Sequence, residues 1–183
     1  VETLENAGTN ELLAVLNGVS QINLDLSAET RYELGLLQLR SAEKLISRRD
    51  ELTPPQRQQL DLCLAEAYMA TNQHIRALEY YQELLKQSPR DSALVKQVAT
   101  LLERCGTKAC LREAAQKWRQ LESAEKPGSI PWLDARLHLI QTTFGSGNEA
   151  EAKKLLGVTK LLYPDLGNQE LKQRFQELQQ RIQ

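Results

Sequence analysis

Glycine and proline are scarce in this 183-residue chain, nine and six residues respectively, and aromatic side chains make up only 5%. A strand-and-turn architecture needs both residues at its many reversals, so their scarcity favours helices. Charge of one sign is also missing: 23 basic residues face 24 acidic ones, a formal net of -1, spread along the chain. Without a basic excess no long-range field gathers phosphate backbones or anionic lipid, and nucleic acid is not an expected partner. No apolar run approaches the roughly 18 to 20 residues that span a bilayer, and no charged, apolar, small-residue leader opens the chain. Membrane insertion is therefore not expected. The first residue is Val1 and not Met, so the expectation is a soluble portion, cytoplasmic or exported after loss of an unseen leader.

What is present is ordinary globular material, 41% hydrophobic and 26% charged. A chain of this length can bury roughly 70% of its unfolded surface, so one all-α domain over 1–183 is expected. Apolar residues recur at spacings of three and four, and nothing alternates for long like a half-buried strand. Nine helices are predicted, at about 10–21, 28–50, 54–71, 74–87, 92–104, 110–125, 130–144, 148–162 and 168–182. Their breaks have chemical causes. Thr53 can cap a helix whose first turn accepts Pro54 and Pro55, and Asp91, Ser129 and Asn148 are placed to cap others. Pro89, Pro127 and Pro164 cannot continue a helix, while Gly106, Gly147 and Gly167 can take the left-handed conformation that ends one.

Segment 58–91 carries Leu64, Ala65 and Tyr68 on one helix, then Ala77, Tyr81, Leu84 and Pro89 on the next. Small Ala65 and Ala77 let two helices approach, Tyr68 and Tyr81 fill the gap to neighbours, and Pro89 turns the chain. This pattern resembles the tetratricopeptide repeat, a 34-residue helix-turn-helix unit. A second unit opens near Ser92 with Val98, Ala99, Leu102 and Gly106. Three extra residues, assigned to the turn, then bring Ala114, Trp118 and Leu121 to the places of Ala77, Tyr81 and Leu84. A third, at about 133–166, matches Leu139, Gly147, Ala152, Leu156 and Pro164, with Ile140 and Thr143 replacing the small and aromatic residues.

The resemblance implies a short right-handed α-solenoid of about three degenerate helix pairs over 58–166. An N-terminal helical segment, 1–57, would close one end with Leu12, Leu13, Leu16, Leu34, Leu37, Leu45 and Ile46. At the other end, Leu171, Phe175, Leu178 and Ile182 form one apolar stripe on a capping helix, 167–183. The alternative is an irregular helical bundle.

Residues that would name a reaction are missing. Gly145-Ser146-Gly147-Asn148-Glu149-Ala150 fits G-x-G-x-x-A, but that pyrophosphate cradle needs a preceding strand, and here a helix precedes it. His74 and His138 are the only histidines and have no partner at metal-ligand spacing, so surface and packing roles are expected of them. Glu149 with Glu151, and Asp25 with Glu29, suit helix starts and solvated faces. No catalytic residue, cofactor or metal is expected. Cys63 beside Leu62 and Leu64 reads as a small core residue. Cys105 and Cys110 flank Gly106-Thr107-Lys108-Ala109 and can bridge in an exported protein, with two reduced thiols as the favoured reading.

In the tetratricopeptide family, first-helix positions turned away from the second helix form a concave binding face. Register carries that role to Gln59, Leu62, Glu66 and Met69, then Lys96, Thr100 and Glu103, then Asp134, Leu137, Gln141 and Phe144. The implied function is a protein-interaction scaffold for a peptide, loop or helix of a partner protein. The family's paired Lys and Asn clamp for a terminal carboxylate is incomplete, since Lys96 is present but Glu66, Thr100 and Gln141 stand at the Asn-type positions. Leu62, Met69, Leu137 and Phe144 suit either apolar anchoring of a partner or the core. The competing function is a structural appendage that orients a larger protein or pairs weakly as a homodimer.

Overall fold

A computed structural model describes residues 7–20 and 26–182; Asp25 lies outside them. Among the described residues every regular element is helical. The elements are α1 (Thr9–Ser20), α2 (Ala28–Ile46), a 3-10 turn (Arg49–Glu51), α3 (Pro54–Ala70) and α4 (His74–Gln87), then α5 (Ser92–Cys105), α6 (Lys108–Ala124), α7 (Ile130–Gly145), α8 (Glu149–Leu162) and α9 (Gln169–Ile182). No helix is long and apolar enough to cross a membrane among these residues. The chain packs as two compact units that divide after Ser88.

In the first unit, α2 packs on α1 and α3, and α3 on α4. Leu12, Leu13, Leu16 and Leu45 are buried as expected, whereas Ile46 remains 39% exposed. Helix α2 also stops at Ile46 and not near residue 50. The following turn buries Leu52 and lets Arg49 reach Asp61 with both guanidinium nitrogens, at 2.6 and 2.7 Å. This bidentate contact raises the Arg49 pKa, mainly through the hydrogen bond to Asp61. The next helix opens on a capping box, in which the Thr53 amide donates to Gln56 Oε1 at 2.9 Å.

In the second unit, α6 packs between α5 and α7, and α9 lies against α7 and α8. Asp91 accepts from the Ala93 and Leu94 amides, and Ser129 from that of Trp132. Asn148 makes no side-chain cap. The stripe on α9 is buried throughout, with Leu171, Phe175, Leu178 and Ile182 entering one cluster with Trp132, Leu133, Leu137, Ile140 and Leu156. Cys105 and Cys110 form a disulfide, against the favoured reading of two thiols, and Cys63 is buried outside that bridge.

The hairpins α3–α4 and α7–α8 repeat each other's local conformation at an offset of 75 positions. Asn72 and Gly147 both take positive φ, 59° and 95°. The amides of Gln73 and Asn148 donate back to the carbonyls of Tyr68 and Thr143, at 2.8 and 3.1 Å. Ser88 and Tyr163 end the second helices at φ/ψ of -132°/68° and -134°/69°. Leu64, Ala65, Tyr68, Ala77, Tyr81 and Leu84 are buried, and so are Leu139, Ile140, Thr143, Ala152, Leu156 and Thr159. Ile140 and Thr143 are thus buried 75 positions after Ala65 and Tyr68, although they differ from them in type.

The middle hairpin departs from that pattern. Its turn holds only Gly106 and Thr107, so the three extra residues lengthen α6 to 17 residues, against 14 in α4, and do not lie in the turn. Thr107 caps the longer helix through the Cys110 amide at 3.2 Å. Trp118 is buried as expected, but Glu122, and not Leu121, is the next buried residue on this helix.

Candidate functional site

On α5, Lys96, Thr100 and Glu103 follow at spacings of four and three and share one face; Asp134, His138 and Gln141 do the same on α7. The fold brings these two faces together with Arg174 of α9. Glu103 accepts from His138 Nδ1 at 2.9 and 3.2 Å through its two oxygens. On the other side of the ring, Arg174 Nη2 lies 3.0 Å from His138 Nε2, and Nη1 donates to Asp134 at 3.0 Å. Lys96 approaches the second Asp134 oxygen at 3.6 Å. Arginine has only donors, so Nε2 must accept, which puts the imidazole proton on Nδ1, donated to Glu103. Beneath the network His138 stacks on buried Trp118, with centroids 4.3 Å apart and planes at 17°.

This strip joins three helices by side chains that still meet solvent: Lys96 is 61% exposed, and Asp134, Glu103, His138 and Arg174 lie between 21% and 32%. Thr100 and Gln141 are half-buried beside them on the same faces. Both imidazole nitrogens are engaged by neighbours. The described residues contain no group of three or more His, Cys, Asp and Glu that could hold a metal. What the arrangement offers is a set of cations and carboxylates in mutual contact, with Thr100 and Gln141 on the same faces.

Comparison with family models, curated proteins and solved structures gives no match.

The site therefore rests on its geometry. Of the expected binding residues, Lys96, Thr100, Glu103, Asp134 and Gln141 fall on this strip. Leu137 does not: it is fully buried in the core of the second unit, and Phe144 packs partly buried against that same cluster. That cluster includes Leu171, Phe175, Leu178 and Ile182 of α9, so the burial of Leu137 favours the core alternative for it. In the first unit, Gln59, Leu62, Glu66 and Met69 are each half-buried along α3. Gln59 also lines a groove of about 400 Å³ between α1 and α3, with Asn10, Leu13, Ala14, Asn17, Pro55 and Gln56.

His138 and Arg174 escaped the sequence reading as site residues. They lie 35 and 71 positions from Glu103, and no local motif links them. A weak signal existed in Asp134 and His138, one helical turn apart on the face that already held the candidates. His74 stands at the start of α4, half-buried, with its Nδ1 unpaired. The Gly145–Ala150 pattern runs from the last residue of α7 into the first turn of α8, so a helix and not a strand precedes it.

Proposed function

We propose that the chain is a protein-interaction scaffold whose hairpins are tetratricopeptide-like, the two in the second unit stacking as part of a right-handed solenoid. A peptide, loop or helix of a partner protein binds across the first helices α5 and α7 and the edge of α9, and no catalysis is involved. The repeated conformation at a 75-position offset supports the hairpin assignment. The observation that carries the binding role is the strip itself: Lys96, Thr100, Glu103, Asp134 and Gln141, expected from register alone, share one partly exposed surface with Arg174. Charges held by neighbours lose little side-chain entropy when a partner binds, which favours recognition by a preformed surface.

The alternative, a structural appendage without a specific ligand, draws on the same network, because its charges already neutralise one another. Affinity capture with the wild type and a Thr100→Arg/Gln141→Arg double variant separates the two. Both positions are half-buried, so the melting temperature of the variant is checked first. The scaffold reading expects recurrent partners that the folded variant loses at least tenfold. An appendage retains the same background with both proteins.

A further inference from the structure

Gly157 sits in the interior of α8, where glycine weakens a helix, yet its backbone does not take positive φ and nothing packs closely on it. Outside its own helix turns, no atom lies within 4 Å of the space a Cβ would occupy. Neither backbone geometry nor tight packing calls for a glycine here. The space it leaves opens into a groove of about 350 Å³ between α8 and α9, bounded also by Lys153, Leu156, Lys160, Gln179 and Ile182. Leu156 and Ile182 are 6% and 4% exposed and supply an apolar floor. Lys153 and Lys160 stand about one turn to either side of Gly157 on the same face. Lys160 donates to Gln179 Oε1 at 2.6 Å, which fixes one wall, and neither lysine has a carboxylate partner among the described residues. The groove belongs to a different surface from the α5–α7 strip and stands without it.

An apolar hollow framed by two cations that have no carboxylate partner among the described residues complements an acidic segment carrying one apolar side chain. We propose that the groove between α8 and α9 docks such a segment of another protein. Its aliphatic or aromatic anchor enters above Gly157, and its flanking carboxylates pair with Lys153 and Lys160. The volume lies at the lower end of the roughly 300 to 1,000 Å³ range of ligand pockets, which fits a single anchor.

The test uses three fluorescein-labelled hexapeptides in fluorescence anisotropy: Asp-Glu-Ser-Phe-Asp-Glu, Lys-Arg-Ser-Phe-Lys-Arg and Asp-Glu-Ser-Ser-Asp-Glu. The wild type is expected to bind the first at least tenfold more tightly than either other peptide. Gly157→Phe fills the hollow and is expected to weaken that binding at least tenfold, and Lys153→Glu/Lys160→Glu to reverse the charge preference. Should Gly157→Phe disturb folding, Gly157→Ala serves instead: it is expected to raise the melting temperature while weakening binding measurably. The proposal is overturned if the acidic apolar peptide shows no preference, or if a folded Gly157→Phe variant binds it like the wild type. It is equally overturned if sedimentation shows a wild-type dimer that Gly157→Phe dissociates, which assigns the groove to a second copy. Binding to vesicles of mixed neutral and anionic phospholipid, lost in Lys153→Glu/Lys160→Glu and without peptide selectivity, overturns it in favour of lipid.

Discussion

Arg174 on α9 holds Asp134 and His138, one turn apart on α7, with its two terminal nitrogens at 3.0 Å each. The last helix is thereby tied to α7 by a polar contact beside its apolar stripe. These side chains are 21% to 32% exposed, so solvent screens the pairing and the contact is worth about 1 kcal/mol. Replacing Arg174 by Met keeps the stem and should cost about that much in urea unfolding, with the difference shrinking in high salt. Phe175→Ala, at a position 1% exposed, should cost about 3 to 5 kcal/mol. A larger loss for Arg174→Met than for Phe175→Ala would mean that the polar network, and not the stripe, holds α9.

Leu137 and Phe144 test the division between strip and core. Leu137→Ala removes a fully buried side chain and should destabilise by about 2 to 5 kcal/mol; Phe144→Gln, against the same cluster, should cost about 2 kcal/mol. Thr100→Ala, half-buried on the strip, should change the unfolding midpoint little. A Leu137→Ala protein as stable as the wild type would remove Leu137 from the core.

Glu122 is covered on α6 and pairs with Arg136 at 2.7 Å, while Arg136 lies over the Trp132 ring. Burial pushes its pKa above the ordinary 4.5, opposed by Arg136 and Arg119. A carboxyl group raised in the folded state favours folding most when protonated. That contribution is complete below the ordinary pKa and is lost as pH rises through the folded value. Glu122→Gln cannot titrate, so the stability of the wild type relative to this variant should fall as pH rises from 4 toward neutrality. A difference that stays flat or grows over that range would contradict the direction of the shift.

The disulfide between Cys105 and Cys110 bridges the α5–α6 turn, and buried Cys63 is the third cysteine, outside it. Unreduced protein in denaturant should therefore react with one equivalent of thiol reagent, and reduced protein with three. The loop is short, so losing the bridge in a Cys105→Ser/Cys110→Ser variant should cost at most about 2 kcal/mol. Three reactive thiols in air-protected, unreduced protein would show that the bridge is not formed.

Much of the helical framework was legible because its signals are local. Pro54, Asp91, Ser129 and Gly106 act within one turn of the backbone they cap or end, and the small and large residues from Leu64 to Leu84 mark a buried face by spacing alone. The end of α2 was less legible, because it depends on Arg49 reaching Asp61, a tertiary contact that outweighs helix propensity. The extra residues of the middle hairpin were misassigned to the turn because a count of residues does not distinguish a longer loop from a longer helix. The strip was readable in part. Register gave Lys96, Glu103 and Asp134, but the partners that hold them, His138 and Arg174, enter only when α7 and α9 pack. Leu137 shows the limit of register: it counts as an open first-helix position, yet a later helix covers it.

Site-directed photocrosslinking tests the interaction role most directly. A benzophenone amino acid is placed singly at Thr100 or Gln141 on the strip, or at exposed Gln116 on the second helix α6 as a control. Each protein is checked for an unchanged melting temperature and then irradiated in native lysate. The account predicts that probes at positions 100 and 141 give the same protein adduct, that the probe at position 116 does not, and that excess uncrosslinked wild type suppresses it. Folded proteins that give no recurrent adduct at 100 or 141, or give one only at 116, would contradict the placement of partner binding on α5 and α7.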